Sequence, residues 1–418
     1  MNSDISGFYK LKPGERRKIL EERAGLTEED LEKLGTFASL KEKEADDMVE
    51  NVVSMHELPL GIATNLKING EDYLVPMVVE ETSVVAACSY AAKLARKNGG
   101  VVAETTEPEM IGQIEVNGVK NYEEFRKTVM NNEERLIEES NSADETLVKF
   151  GGGVREVEVR RIDKENAAVV HLIVDVRDAM GANTVNTMCE TVAPTIEKLT
   201  GCDTNLRIIS NLADRRLARA EVEFSFEVLE RENVSGREVA EGVVDAYEFA
   251  EADRYRAATH NKGVMNGMDA VCIATGNDFR ALEAGVHAYA AEDGYGPVTE
   301  WWIEGEKLKG RIEVPVAVGT VGGITSVHPT AELSLKILDV DSAQELSEVM
   351  ASVGLLQNFA ALRALATEGI QKGHMKLHAK NIAKQAGAEG EEVDMIAERM
   401  VEEGNVSQDR AEKILGDF

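Results

Sequence analysis

The chain has 418 residues, and its 76 acidic and 46 basic side chains give a formal net charge of −30. Such a field argues against a nucleic-acid partner and against an anionic membrane surface, because both carry negative phosphates. It also repels an anionic substrate, so local arginine and lysine side chains must hold one. Hydrophobic residues make up 43% of the chain, enough for a large core in roughly two to three domains.

The four cysteines, Cys88, Cys189, Cys202 and Cys272, are scattered without paired spacing. This pattern indicates reduced, buried thiols and predicts neither a disulfide framework nor a zinc site. No apolar run reaches the length of a membrane span, and the charged start is unlike a signal peptide. We therefore expect a soluble cytoplasmic protein with no membrane association and no metal.

The first hundred residues predict helices followed by a hairpin. Pro13 and the capping pattern from Thr27 indicate helices over residues 13 to 33, and Asn69-Gly70 between two apolar runs is a strong hairpin signal. The second strand leads into Glu80-Glu81-Thr82-Ser83 and then an alanine-rich helix over residues 84 to 97. Two carboxylates at such a junction suggest a general acid. Taken alone, the pattern favours an acid that stabilises the helix dipole, with Thr82 or Ser83 as the cap.

Residues 108 to 211 follow the order βαββαβ, which is typical of a ferredoxin-like unit. The predicted elements are a strand around Ile111 to Val116, a charged helix over 121 to 141, strands at Val157 to Ile162 and Ala167 to Val176, a helix from Thr184 to Leu199, and a strand from Leu206 to Ser210. Apolar α/β patterning resumes afterwards, beginning with a strand from Val222 to Val228. We therefore expect an inserted domain.

Two glycine turns follow predicted strands. Asp178-Ala179-Met180-Gly181-Ala182-Asn183 precedes a helix, and Gly319-Thr320-Val321-Gly322-Gly323 follows the apolar run Val314 to Val318. A glycine lets backbone approach a ligand closely, and a helix N-terminus attracts phosphate. Neither turn is the GxGxxG fingerprint, so neither alone establishes a nucleotide site.

Polar side chains surround the apolar run Ala270 to Ala274, which we predict to be a buried strand of a parallel sheet. A helix should begin near Phe279 and run to about Ala291, after a helix over Val239 to Ala250. Lys262 and Asp278 could then polarise a carbonyl oxygen and share its proton. Equally, Asp278 could only cap a helix and Lys262 could be a solvated loop cation, so these residues alone leave both interpretations open.

The C-terminal part begins with a strongly apolar stretch from Leu346 to Ile370, which polar residues interrupt and which predicts a core helix. His374 and His378 follow at i, i+4 spacing, but no third ligand is near, so solvated helix histidines are favoured over a metal site. The last residues predict a small helical appendage. Its movement could deliver a histidine to a site on closure.

Seven motifs now stand in one order: Glu50-Asn51-Val52-Val53, Val78-Val79-Glu80-Glu81, Asp178 to Asn183, Thr259-His260-Asn261-Lys262-Gly263, Thr275-Gly276-Asn277-Asp278, Gly319 to Gly323, and Gly373-His374-Met375. Together they resemble the hydroxymethylglutaryl-coenzyme A (HMG-CoA) reductases, and the short form without a membrane anchor is similar to class II. Each motif is weak alone, but seven in sequence are specific.

The resemblance implies a mixed α/β and α+β fold. A large substrate-binding domain would comprise residues 1–107 and 217–372, with a ferredoxin-like NAD(P)-binding domain inserted at 108–216 and a helical flap at 373–418. In this family two subunits share each active site, which implies a homodimer at least. The segment from Glu50 to Val53 would lie near that interface.

The resemblance also implies a two-step, four-electron reduction of HMG-CoA to mevalonate. Lys262 would stabilise the oxyanion, Glu81 would donate the proton, and Asp278 would link their hydrogen bonds. His374 would protonate the coenzyme A thiolate, which suits a group that titrates near neutrality. The expected substrate-binding residues are Ser83, Asn211, Arg256, Asn266 and His378.

For the cofactor, the resemblance implies contacts from Asp144, from Asp178, Ala179, Met180, Gly181, Ala182 and Asn183, and from Gly322 and Gly323. A carboxylate at Asp144 would accept from a ribose 2′-hydroxyl and repel a 2′-phosphate, so NADH is favoured over NADPH. Two departures from the family pattern stand out. Thr82 replaces a proline common in class II, and Tyr9-Lys10 stands where some relatives have an arginine near coenzyme A.

Three other functions remain open from the sequence. The first is a nicotinamide-dependent reductase of a different acyl-CoA. The second is a lyase in which Lys262 forms a Schiff base. The third is a binding module without catalysis, in which the glycine turns are structural only.

Overall fold

The computed structural model describes residues 1–36, 40–231, 234–367, 379–390 and 392–417. Its strands are β1 Leu60–Ile68, β2 Glu71–Val78, β3 Val101–Thr105, β4 Glu109–Asn117, β5 Gly153–Arg161, β6 Ala167–Asp175, β7 Asp203–Ser210, β8 Leu217–Ser225, β9 Thr299–Glu304 and β10 Lys307–Pro315.

The α-helices up to residue 367 are α1 Pro13–Ala24, α2 Glu28–Gly35, α3 Glu42–Met48, α4 Val84–Arg96, α5 Tyr122–Met130, α6 Glu133–Asn141, α7 Glu145–Lys149, α8 Ala182–Thr200, α9 Phe226–Leu229, α10 Gly236–Ala252, α11 Arg254–Ala274, α12 Phe279–Tyr289, α13 Pro329–Leu338 and α14 Ala343–Thr367. Two further helices, Glu392–Glu402 and Gln408–Gly416, build a small C-terminal core with residues 379 to 388.

A six-stranded sheet in the order β2-β1-β3-β8-β10-β9 organises the larger part of the chain. The predicted hairpin is confirmed, because β1 and β2 pair antiparallel around Asn69 and Gly70, which both take positive φ as a tight turn requires. The N-terminal helices are confirmed as well, and Thr27 with Asp30 forms a capping box at the start of α2. The sheet and the helices α4, α10, α11 and α14 enclose the main hydrophobic core.

The predicted core helix is confirmed in α14, which is buried along most of its length between Ala343 and Arg363. By length and composition alone, α14 is the one helix in the described part of the chain that could cross a membrane, and 72% of its most apolar window is buried. The predicted end at Ile370 lies outside the described residues.

A four-stranded antiparallel sheet in the order β5-β6-β4-β7 forms the second unit. This is the strand order of a split βαβ fold, and α5, α6 and α8 pack on it over a separate core. The single helix predicted over residues 121 to 141 is wrong in detail. Two helices form instead, because the helix is interrupted at Asn131 and Asn132, where Nδ2 of Asn132 donates to the carbonyl of Thr128 at 2.9 Å.

The strand predicted at Ala270 to Ala274 is wrong, because these residues form the last turns of α11. Val264, Met268, Val271 and Cys272 are buried at helical spacing, and α11 packs against β2, α10 and α14. A helix that is enclosed on several sides shows the same continuous apolar run as a buried strand. A run of only five residues is therefore too short to distinguish a helix from a strand by its hydrophobic pattern.

Two other strand predictions were too long. Phe226 and Val228 belong to the short helix α9, since β8 ends at Ser225, where its pairing with β10 also ends. The run from Val314 to Val318 contributes only its first two residues to β10, which ends at Pro315. The residues beyond it leave the sheet and lead into the glycine turn at Gly319.

Candidate active site

An ion pair joins two segments that are distant in sequence. Lys262 lies on the exposed side of α11, and its Nζ is 2.9 Å from Oε2 of Glu81, in the loop between β2 and α4. The Lys262 and Glu81 side chains remain 60% and 40% exposed. Water therefore screens their interaction in a single chain, so the low-dielectric setting that strengthens such a pair must come from a ligand or a second copy.

Ser83 has a strained backbone immediately before α4. Its φ of 77° lies in the left-handed region, which is costly for a residue with a Cβ. Ser83 occupies the N-cap position, yet its hydroxyl makes no capping hydrogen bond. The capping role considered for Ser83 is therefore wrong. Strain of this kind persists where the surroundings fix it, and it concentrates at functional sites.

Asp278 caps α12. Its Oδ1 accepts from the backbone N–H groups of Arg280 at 3.0 Å and Ala281 at 3.2 Å, and its Oδ2 lies 3.0 Å from the Arg280 guanidinium. Lys262 precedes the end of α11 by 12 residues, which is about 18 Å along a helix. Among the described residues of one chain, no hydrogen bond or ion pair joins Asp278 to Lys262 or Glu81. The expected link is thus not made within a single copy.

Three expected substrate-binding residues lie on or near α11 and α12. Arg256 is partly buried, burial lowers the pKa of its guanidinium, and no carboxylate within the described ranges pairs with it. Asn266 lies one turn beyond Lys262 on the same face of α11. Asn211 follows β7, and its carbonyl oxygen would be 2.7 Å from a Cβ at Gly285 of α12. An unpaired guanidinium is suited to a ligand carboxylate.

His260 and Asn261, which precede Lys262, hold α11 in place. Nε2 of His260 lies 2.6 Å from Oγ1 of Thr299 and 3.1 Å from Nδ2 of Asn358. Asn261 donates to the carbonyl of Gly296 and accepts from the N–H of Val298. Burial lowers the pKa of His260 to about 3, so its ring is neutral at physiological pH.

A cleft of about 2050 Å³ opens at the C-terminal end of α11, and neither Lys262 nor Glu81 is among its lining residues. Both glycine turns, the Asn277–Arg280 segment and one side of α4 line it together with the N-terminal helices. Cations outnumber carboxylates along its walls: Arg16, Arg17, Lys33, Lys93 and Arg280 against Glu57 and Asp278. The local charge is therefore opposite to that of the whole chain, as an anionic ligand requires.

The two glycine turns contact each other at Gly319. A Cβ there would lie 2.7 Å from the N of Met180 and 2.9 Å from the carbonyl oxygen of Asp178. Thr320 N–H donates to the same carbonyl at 2.9 Å. Asn277 holds the other side, accepting from Gly319 N–H at 2.8 Å and donating to its carbonyl at 3.1 Å. The turns form one backbone surface in the cleft.

Buried Arg216 also fastens this surface. Its guanidinium donates to the carbonyls of Ala179 and Val318, and burial lowers its pKa to about 10. The sequence did not point to Arg216, and it pointed to Asn277 only as part of the motif Thr275-Gly276-Asn277-Asp278. Two signals could have pointed to these supporting residues. They are the motif around Asn277 and the position of Arg216 at the expected domain junction.

Similarity to known proteins identifies the family of this chain. The model of the hydroxymethylglutaryl-coenzyme A reductase family matches residues 12–379. The chain belongs to the hydroxymethylglutaryl-coenzyme A reductase family. The 3-hydroxy-3-methylglutaryl-coenzyme A reductase of Archaeoglobus fulgidus is 53% identical over 99% of this chain and 94% of its own length.

Solved structures agree with this assignment. A class II HMG-CoA reductase from Streptococcus pneumoniae bound to NADPH in open conformations is 41% identical, with a TM-score of 0.83 over 97% of this chain and 99% of that one. Another structure of the Streptococcus pneumoniae reductase gives 40% identity and a TM-score of 0.85, covering 99% of both chains. The resemblance to class II HMG-CoA reductases and the mixed α/β fold are confirmed, and the chain is a nicotinamide-dependent oxidoreductase.

The residues at the glycine turns fit a dinucleotide of the kind that HMG-CoA reductases use. Gly181 precedes α8 at φ 93°, and a Cβ there would lie 2.4 Å from Val176. Met180, Gly181, Ala182 and Asn183 line the cleft at the N-terminus of α8, where backbone N–H groups favour phosphate. Ala179, Gly322 and Gly323 line it as well.

The two acidic residues expected at the cofactor are held differently. Oδ1 of Asp178 accepts from the N–H of Ala343 at 2.9 Å, so this carboxylate holds the start of α14. Asp144 caps α7 through Oδ1, and its Oδ2 accepts from Oγ1 of Thr184 at 2.9 Å. Thr184 lines the cleft, so the Asp144 carboxylate is bonded to a residue of the cleft wall.

The remaining predictions for the reductase site concern His374 and His378, which lie outside the described residues. Tyr9 lines the cleft, and Arg16, which also lines it, donates to the Tyr9 carbonyl at 3.0 Å. A guanidinium therefore lies beside Tyr9 in the cleft wall.

Proposed function

We propose that the protein reduces the thioester of (S)-3-hydroxy-3-methylglutaryl-CoA to (R)-mevalonate and coenzyme A with two NAD(P)H, or catalyses the reverse oxidative acylation. The observation that carries this proposal is the 2.9 Å contact between Lys262 and Glu81. The family membership of the chain and the cation-lined cleft beside α11 support it.

Each residue has a distinct role in the proposed reaction. A nicotinamide held at the two glycine turns would supply the hydride for each of the two reductions. Lys262 stabilises the negative charge that grows on the carbonyl oxygen, because an ammonium fixed there needs no reorganisation during the step. Glu81 donates a proton to that oxygen. His374 protonates the thiolate of coenzyme A as it leaves.

The substrate's other end needs a separate set of contacts. Arg256 binds the free carboxylate of the hydroxymethylglutaryl group, for which its partly buried guanidinium, without a carboxylate partner among the described residues, is suited. Asn266 binds the hydroxyl from the same face of α11 as Lys262. Ser83, Asn211 and His378 complete the pocket.

We propose a homodimer with a shared site. Asp278 cannot reach Lys262 of its own chain along α11, so Asp278 of the second copy meets the Lys262–Glu81 pair and links their hydrogen bonds. A two-fold axis then makes two equivalent sites. The exposed side chains Val49, Val53, Met55 and Leu58, next to Glu50, are suited to cover the pair in such an interface.

We propose NADH as the favoured cofactor. The Asp144 carboxylate accepts from a ribose 2′-hydroxyl and repels a 2′-phosphate, and its contact with Thr184 holds it beside the cleft. Residues 108–216 would carry the dinucleotide, residues 1–107 and 217–372 the substrate, and residues 373–418 the flap that brings His374. We further propose that the protein works in the cytoplasm.

The experiment is the oxidation of NADH and NADPH, followed at 340 nm, with HMG-CoA and with other acyl-CoA thioesters. Turnover with HMG-CoA and formation of mevalonate and free thiol are expected. Turnover only with another thioester would make the protein a different acyl-CoA reductase. Trapping of substrate on Lys262 by borohydride would identify a Schiff-base lyase. If no thioester gave turnover or trapping, the protein would be a binding module without catalysis.

A further inference from the structure

A chain of hydrogen bonds leaves α11 at Asp269 and returns to it at Asn261. The carboxyl groups of Asp269 and Glu283 are in hydrogen-bond contact, and Oε2 of Glu283 lies 2.8 Å from Nε2 of His287. Nδ1 of His287 lies 2.9 Å from the hydroxyl oxygen of Tyr295, which accepts from Nδ2 of Asn261 at 3.2 Å. This series of hydrogen bonds therefore begins and ends on α11, at Asp269 and Asn261, and connects that segment of α11 to α12.

One proton is shared within the carboxyl pair. Oδ1 of Asp269 is buried and bonds to no N–H or hydroxyl donor among the described residues, and two carboxylates in contact cannot both be charged. The bond from His287 lowers the pKa of Glu283. Burial, followed by the bond to Glu283, raises the pKa of Asp269 to about 8. The proton therefore resides on Asp269.

Few other charges act on this pair. α12 contributes Glu283 and His287, and α11 itself contributes Cys272, whose pKa is raised chiefly by burial and then by Asp269. Glu313 of β10 bonds instead to Tyr289 and to Arg219 of β8. Within the described ranges, His287 is thus the basic side chain that bonds to the pair.

The segment of α11 between Asn261 and Asp269 carries Lys262, a residue of the proposed active site. Lys262 lies about 10 Å before Asp269 along the same face of α11, and Asp278 caps the helix that carries Glu283. In the proposed dimer, Lys262 of one copy meets Asp278 of the other. Each copy therefore contributes Lys262 to one site and Asp278 to the other site. The packing of α11 on α12 within a copy sets the distance between these two side chains.

We propose that Asp269 is a positioning residue, which fixes α11 against α12 through a proton shared with Glu283 and so places Lys262 and Asp278 in the two sites. This inference rests on the proposed function. When the proton of Asp269 passes to water, two carboxylates remain in contact, and their repulsion separates the helices. Turnover then falls, although no group that touches the substrate has titrated.

The first test measures kcat against pH with saturating HMG-CoA and NADH. In the natural protein kcat should fall by about tenfold per pH unit above the pKa of Asp269 near 8. Asp269→Asn carries an amide that donates to Glu283 at every pH, so its ratio of kcat at high pH to kcat at neutral pH should exceed the natural ratio. Glu283→Gln removes the repelling charge and should act likewise, whereas Glu292→Gln, an exposed acid beyond α12, should match the natural profile.

The second test does not depend on activity. Because the folded chain holds a proton that the unfolded chain releases near pH 3.8, the pair makes stability fall as pH rises from about 4 to about 8. Chemical denaturation across that range should show a smaller slope for Asp269→Asn than for the natural protein and for Glu292→Gln.

The outcomes separate the two proposals. A reduced stability slope with an unchanged kcat profile in Asp269→Asn would show that the pair holds a proton without positioning the site, and would overturn the inference. An unchanged slope would show that no proton is held and would also overturn it. A natural protein without turnover on HMG-CoA would instead overturn the proposed function, whatever the denaturation slopes show.

Discussion

Nζ of Lys262 lies 2.9 Å from Oε2 of Glu81, although 181 residues separate them in the chain. The contact depends on α11 crossing the core beside β2, so that a helix face and the loop after a strand meet at the surface. In one copy the Lys262 side chain is 60% exposed and the Glu81 side chain is 40% exposed. A pair as exposed as this contributes little to stability.

Lys262→Ala should lower kcat by about 10²- to 10³-fold, because the charge on the carbonyl oxygen loses its preorganised partner. The free energy of unfolding should change by less than about 1 kcal/mol, since exposed ion pairs contribute little. Steady-state kinetics and denaturant melts measure both. Lys309→Ala, which removes another exposed pairing with Glu304, is the control and should retain activity. A fully active Lys262→Ala would refute the assigned role.

Gly319→Ala should weaken cofactor binding. The new Cβ would meet the backbone at Met180 and Asp178 at 2.7 and 2.9 Å, so one glycine turn must move from the other at a cost of about 1–3 kcal/mol. We expect the KM for NADH to rise by about tenfold or more. Gly416→Ala, whose Cβ would meet nothing within 4 Å, should leave KM unchanged. Equal KM values in both variants would contradict the fit of the turns to a dinucleotide.

Asp144→Ser should shift preference from NADH towards NADPH. Serine keeps a cap for α7 but removes the charge that repels a 2′-phosphate, and we expect the ratio of kcat/KM values to move by about tenfold. Titration of both cofactors measures the ratio. Glu145→Gln removes the neighbouring charge and should leave the ratio near the natural value. If Glu145→Gln produced the shift instead, Asp144 would not be the ribose-binding acid.

His260→Gln should reduce the loss of stability in acid. Burial lowers the pKa of His260 from 6.5 to about 3, so the unfolded chain takes up a proton that the folded chain does not. The stability it contributes is fully present above pH 6.5 and is lost as the pH falls towards 3. Denaturant unfolding at several pH values should show a shallower slope for His260→Gln than for the exposed-histidine control His56→Gln. Identical slopes would mean that His260 is not held neutral.

Much of the fold could be predicted because its signals are local. The Asn69-Gly70 hairpin and the βαββαβ order depend on turn chemistry and on hydrophobic periodicity within short segments. The run at Ala270 to Ala274 was mistaken for a strand because a helix buried on several sides loses its polar face. Only the packing of α11 against α14 and β2 distinguishes the two.

The sequence pointed to residues of the candidate site but not to the contacts that connect them. Lys262 and Glu81 stand in motifs, so the sequence pointed to both. The supports provided by Arg216 and Asn277 depend on backbone carbonyls far along the chain, at Val318 and Gly319. No local pattern encodes such contacts. The same holds for Asp278, whose local signal is that of a helix cap and whose proposed partners would lie on another copy.

Subunit complementation tests the shared site most directly. Lys262→Ala and Asp278→Ala homodimers should each be nearly inactive. After the two are mixed under conditions that exchange subunits, each heterodimer has one site with both residues intact, so activity should return to roughly a quarter of the natural value. Failure of activity to return, with heterodimers demonstrated by native mass spectrometry, would contradict a site built from Lys262 and Glu81 of one copy and Asp278 of the other.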